Sequence, residues 1–170
     1  MKHLHKALLV AAAVTLGACS TGADRFGDGS GAGTDQFANG GLGSVDDPTS
    51  PAYFQQAIGD RVLFEVDQSS LTSVAQATLQ EQAAWLAANS EYTAIIEGHA
   101  DERGTQEYNL ALGARRASAV QDYLVSLGVA PGRLRTVTYG KERPIEICSD
   151  EACYMQNRRA VTVLTAGLTG

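Results

Sequence analysis

The sequence predicts an α/β fold, an α+β sandwich in which helices pack on a small sheet. Three observations point there. Short apolar runs of strand character recur at residues 61–66, 93–97, 134–139 and 160–165. Two intervening stretches repeat apolar residues at helical spacing. Breakers separate the segments, with Asn89-Ser90, Gly128 and Pro131-Gly132 between periodic runs. A head of roughly 115 residues is large enough to bury its own core.

The elements follow in chain order. Residues 1–18 carry Lys2, His3, His5 and Lys6, then an apolar run, then small residues, which is the pattern of a secretory signal. At about ten residues the apolar run is too short to span a bilayer. Leu16-Gly17-Ala18-Cys19 resembles a bacterial lipobox. That resemblance implies that Cys19 carries diacylglycerol on its thiol and a further acyl chain on the amine freed by cleavage. Each buried methylene contributes about 0.8 kcal/mol, so several chains make a durable anchor. Ser20 follows Cys19; in lipoproteins generally, the absence of Asp at that place implies the outer membrane.

Residues 19–51 hold the lipidated cysteine and a Gly/Ser/Asp-rich stretch with few apolar residues and no period. The expectation is a flexible tether, with a reach on the order of 30–35 Å. Its glycines satisfy neither G-x-G-x-x-G nor the P-loop pattern, and no strand precedes them.

Residues 52–170 form the expected globular domain. The first strand is 61–66. Ser73 with Gln76 suggests a capping box for the first helix. Leu71, Ala75, Leu79, Ala83 and Leu86 are expected on its core face. Ile95-Ile96 in the second strand suggests burial on both sheet faces. A polar loop at 98–104 leads into a long helix at 105–127. Tyr108, Leu112, Ala119, Tyr123 and Leu127 are expected along its buried face. Gly128 suits a C′ position, with Val129 packing on Leu124 as in a Schellman motif.

Cys148 and Cys153 lie between the last two strands. Outside the cytoplasm such a pair most simply forms a disulfide, contributing roughly 2 kcal/mol in the chain-entropy model. Two free thiols are the alternative. A metal site is the weaker reading, because His99 is the one histidine beyond the signal region. The net charge of −6 and an aromatic content of 6% argue against nucleic-acid binding, which depends on Lys and Arg neutralising phosphates. Neither a cofactor nor a catalytic set is expected. Asp101 and Glu102 are adjacent rather than spaced across a substrate as glycosidase carboxylates are, and no G-x-S-x-G elbow occurs.

The richest segment is residues 95–117, I-I-E-G-H-A-D-E-R-G-T-Q-E-Y-N-L-A-L-G-A-R-R-A. Read from the residues alone, Asp101 and Glu102 lie near a helix N-terminus, where amides and the helix dipole stabilise negative charge. Asp101 is then either a cap or a ligand group. Arg115 and Arg116 are either a solvated face or a recognition pair.

This segment resembles the peptidoglycan-recognition motif of the OmpA-like C-terminal domain family. The likeness is strongest to its lipid-anchored members, the peptidoglycan-associated lipoproteins, since a lipobox and tether stand where other members carry a barrel. The likeness extends over Phe64-Glu65-Val66-Asp67, Tyr139-Gly140-Lys141-Glu142-Arg143-Pro144 and Asn157-Arg158-Arg159-Ala160. It implies a β-α-β-α-β-β order with a mixed four-stranded sheet.

It also implies that Asp101 and Arg116 bind the diaminopimelate side chain of the peptidoglycan stem peptide. Diaminopimelate presents an ammonium beside a carboxylate. A carboxylate suits the first and an arginine fork the second. A stem lysine lacks the carboxylate and would leave Arg116 unpaired. Asp67, Glu102, Arg103, Thr105, Asn109, Leu112 and Val66 are expected around the groove, with Val66 replacing a usual aromatic. Gly113-Ala114 departs from many relatives and is expected to matter little. The Asn157-Arg158-Arg159 run is read as structural. The family further implies TolB and the Tol system as partners, on a surface overlapping the wall-binding region, and a role in envelope integrity and division.

Overall fold

The computed structural model describes residues 42–166. The expected signal, Cys19 and the tether up to residue 41 lie outside them. Among the described residues no helix is long and apolar enough to cross a membrane.

Ordered contacts begin before Ala52. Ser50 caps the short helix α1 (Pro51–Tyr53), its Oγ accepting from Tyr53 N–H at 3.1 Å. The Ala52 N–H donates to the Leu42 carbonyl, and Trp85 Nε1–H to that of Pro48 at 2.7 Å. So the last part of the 19–51 stretch is fastened to the head. Chain 54–59 continues as a π-helical turn and feeds strand β1 (Arg61–Leu63). β1 is shorter than expected, because the chain from Phe64 turns away to line the site.

Thr72, not Ser73, caps α2 (Ser73–Ala88), accepting from Ala75 N–H at 3.2 Å. Gln76 does not close a capping box; its amide donates to the Leu71 carbonyl. The core face is as expected, with Ala75, Leu79, Ala83 and Leu86 buried. Gln82 is buried with them, bridging the Gly59 carbonyl at 2.7 Å and the Thr162 hydroxyl at 2.8 Å.

Strand β2 (Tyr92–His99) lies between β4 (Arg159–Ala166), antiparallel, and β3 (Leu134–Gly140), parallel. The sheet order is β1-β4-β2-β3, with β1 antiparallel to β4. This is the expected mixed four-stranded sheet. Ala94 and Ile96 enter the core, while Ile95 on the other face is only half-buried. Burial on both faces is therefore not realised.

Helix α3 (Gln106–Ser126) packs on β2 and β3. Its buried face is Asn109, Leu112, Gly113, Arg116, Ala117, Val120 and Leu124. Tyr108 and Leu127 are exposed, so the expected face was rotated. Apolar periodicity misses a stripe whose buried members include Asn and Arg. At the far end Gly128 sits at φ 99°, Val129 N–H donates to Leu124 and Gly128 N–H to Val125, completing the Schellman motif.

Two glycines let α3 approach β2. A Cβ on Gly98 would lie 1.9 Å from the Gly113 carbonyl oxygen, and one on Gly113 would lie 2.5 Å from Thr138 Oγ1. Gly113 thus matters for packing. A short helix, α4 (Glu151–Asn157), occupies the cysteine loop. Cys148 and Cys153 are bridged, and Asp150 caps α4 through Ala152 and Cys153 N–H.

Candidate functional site

The bend after β1, the loop after β2 and the first turns of α3 enclose a pocket of about 280 Å3. Val66, Asp67, Asp101, Arg103, Gly104, Tyr108, Asn109, Leu112 and Arg116 line it. The fold brings together most of the expected residues. Glu102 and Thr105 do not line it. Thr105 instead caps α3, accepting from Tyr108 N–H at 3.2 Å. Glu102 belongs to a loop held by Lys141, whose Nζ donates to the Gly104 carbonyl at 2.8 Å.

Arg116 is the largest fully buried side chain. Its Nε–H donates to the Gln68 carbonyl at 2.8 Å, Nη1 to His99 at 2.8 Å and Nη2 to Glu65 at 3.2 Å. Its guanidinium stacks over the Phe64 ring at 5.1 Å. Burial lowers its pKa to about 10, with Asp101 and Asp67 opposing, so it stays charged at neutral pH. It is no solvated arginine; it pins the 64–68 bend and the end of β2 to α3.

Asp101 is 7% exposed. Its Oδ2 accepts from Arg103 Nη2 at 2.7 Å and Arg158 Nη1 at 3.2 Å. Burial alone would raise its pKa, but the hydrogen bonds from Arg103 and Arg158 outweigh it and hold the carboxyl below its usual range. Asp67 has φ 58°, a left-handed conformation that Asp tolerates, and its Oδ1 accepts from the Tyr108 hydroxyl. Asn109 is buried and donates to the Arg103 carbonyl at 2.7 Å, which shapes the loop. The pocket therefore offers two carboxylates and two guanidiniums in one concavity, a set suited to a ligand carrying both charges.

A model described as the OmpA family matches residues 63–158. A peptidoglycan-associated lipoprotein of Mesorhizobium japonicum is 58% identical over 118 residues, covering 69% of this chain and 70% of that protein. One from Pseudomonas aeruginosa is 45% identical over 155 residues, covering 90% and 91%. The chain belongs to the OmpA family, among its peptidoglycan-associated lipoproteins. The crystal structure of the peptidoglycan-associated lipoprotein from Burkholderia pseudomallei aligns with a TM-score of 0.63 at 41% identity, over 71% of this chain and 98% of that one. The C-terminal domain of Helicobacter pylori MotB shares the fold alone, at 21% identity and a TM-score of 0.59 over 64% of this chain and 86% of that one. The relatives from Mesorhizobium japonicum, Pseudomonas aeruginosa and Burkholderia pseudomallei are named as lipoproteins, not as enzymes.

Against that family frame, sequence reasoning missed two members of the site. Tyr108 was expected in the core and instead faces Asp67. Arg158 was read as structural, which it is: its Nε–H donates to the Phe64 carbonyl at 3.1 Å. It also touches Asp101, a contact between residues far apart in the chain that no local signal announces. Arg159 likewise ties its strand to the Arg143 carbonyl at 3.0 Å. The Cys148, Asp150 and Cys153 cluster is no metal centre, since both sulfurs are bridged and Asp150 is spent as a cap.

Proposed function

We propose that this chain is a lipid-anchored protein of the outer membrane that noncovalently captures the diaminopimelate side chain of the peptidoglycan stem peptide. One observation carries the reading: Asp101 and Arg116, charges of opposite sign, line the same pocket. Asp101 takes the ligand ammonium. Arg116 has five N–H donors, and those not given to backbone carbonyls meet the ligand carboxylate at the pocket floor. Val66 and Leu112 supply apolar walls. Asp67 and Tyr108 close the side next to them.

Anchoring through Cys19 then holds the membrane to the wall. The names of the relatives support wall association. TolB and the Tol system are the proposed protein partners, with a role in envelope constriction, and they compete for the same face. Co-sedimentation of the purified protein with diaminopimelate-type and lysine-type peptidoglycan tests the core of this. Selective pelleting with the former, lost in a folded Asp101→Asn variant, is the expected result. Failure of the folded wild type to pellet with either wall overturns wall capture and leaves protein binding as the main activity.

A further inference from the structure

Neither oxygen of Asp101 is vacant. Oδ2 accepts from two arginine side chains, and Oδ1 from the Arg103 backbone N–H at 3.2 Å. Three of a carboxylate's roughly four acceptor positions are thus taken, and an ammonium that seeks Oδ2 meets the Arg103 guanidinium in its place.

The two arginines are not alike. Arg158 has a side chain only 4% exposed, fixed by the Phe64 carbonyl and by Glu151 at 2.6 Å. Arg103 has a side chain 44% exposed, and its recorded partners are side chains alone. It also touches a second berth on α4, outside the pocket. Its Nη1 is 3.5 Å from Glu151 Oε2, and its guanidinium lies over the Tyr154 ring at 4.6 Å. Glu151 is 59% exposed and can follow it.

We infer that Arg103 is an internal competitor: its guanidinium fills, on Asp101, the place of a ligand ammonium, and it withdraws onto Glu151 and Tyr154 when that ammonium arrives. This rests on the proposed capture of a zwitterionic stem peptide by Asp101 and Arg116. The exchange swaps one cation for another on a carboxylate that Arg158 never leaves, so no buried charge is stranded at any stage. The competition is felt only by a ligand that brings a cation to Asp101. A ligand whose amine is acylated has no charge with which to displace it.

The test is calorimetric titration of a diaminopimelate-containing stem tripeptide, and of its side-chain N-acetylated form, into wild type, Arg103→Gln, Glu151→Gln and the double variant. Circular dichroism confirms that each is folded, and Arg103→Met is the substitute if Gln disturbs the loop. Arg103→Gln is expected to bind the tripeptide about two- to fivefold tighter, the range an exposed ion pair is worth. Glu151→Gln is expected to weaken binding, with a smaller effect when Arg103 is already replaced. The acetylated form is expected to discriminate less between wild type and Arg103→Gln. Equal or weaker binding by folded Arg103→Gln, or no coupling between the two positions, overturns the competitor role and leaves capture intact. No binding by any of the four proteins overturns both.

Discussion

Arg116 Nη1 donates to the carbonyl of His99 at 2.8 Å, so a helix arginine closes the end of the strand from which the Asp101 loop departs. The residue most directly implied in binding is thus also a keystone of the fold. A solvated binding arginine could be removed without unfolding the domain, but Arg116 is fully buried. Removing the guanidinium leaves the carbonyls of Glu65, Gln68 and His99 without their donor, at about 1–3 kcal/mol for each buried group left unpaired. Arg116→Ala should lower stability by at least about 3 kcal/mol in urea denaturation. Loss of less than about 1 kcal/mol would show that the bend at 64–68 stands without it.

The contact of Gly98 with Gly113 sets how near α3 lies to the sheet, and so where Arg116 enters the site. Gly98→Ala places a methyl against a backbone carbonyl that cannot move aside. Overpacking of this kind costs about 1–3 kcal/mol. The expected outcome is a lowered melting temperature together with weaker ligand binding, because the helix carries Arg116, Asn109 and Leu112 away with it. Unchanged binding in the destabilised variant would separate the helix position from the site.

Much of the fold was legible because it is written in local patterns. The helix period of α2, the Gly128 cap and the alternation of β4 each follow from neighbours in sequence. The site was legible in part for a different reason: the loop at 98–104 and the N-terminal half of α3 are contiguous, so their polar residues gather without tertiary information. What escaped depends on distance in the chain or on buried polarity. Asp67 meets Tyr108, and Arg158 meets Asp101, across long separations. The buried face of α3 was misplaced because Asn109 and Arg116 sit in it, and polar residues are ordinarily assigned to solvent. The attachment of residues 42–50 rests on Trp85 reaching a backbone carbonyl, which composition cannot reveal.

His99 gives a pH signature. Its ring is buried against Tyr139 at 5.5 Å, and neither nitrogen has a hydrogen-bond partner among the described residues. Glu97 is 3.7 Å away, too far for a hydrogen bond to a neutral ring. Burial, with the charges of Arg159 and Arg143, lowers its pKa from 6.5 to about 4. The unfolded chain therefore binds a proton in that interval that the folded chain refuses. The stability linked to the neutral ring is present above pH 6.5 and is lost as pH falls toward 4. His99→Phe, similar in shape and unable to titrate, should match wild type near neutrality and lose less stability between those limits. Parallel pH curves for the two proteins would refute this.

The Cys148–Cys153 bridge closes a small loop around the first turn of α4. In the chain-entropy model a loop of this size contributes about 2 kcal/mol. α4 is too short to persist alone. Its side chains reach the site, since Glu151 holds Arg158 and Tyr154 lies under Arg103. Replacing both cysteines by serine should therefore do two things. Stability should fall by about 2 kcal/mol or less, and amide exchange should quicken first in residues 148–157. Because Arg158 keeps its bonds to Phe64 and Asp101, the carboxylate side of the pocket should survive, and binding should weaken only in proportion to the loosened α4. Exchange that quickens equally across the sheet would mean that the bridge supports the whole fold and not this helix.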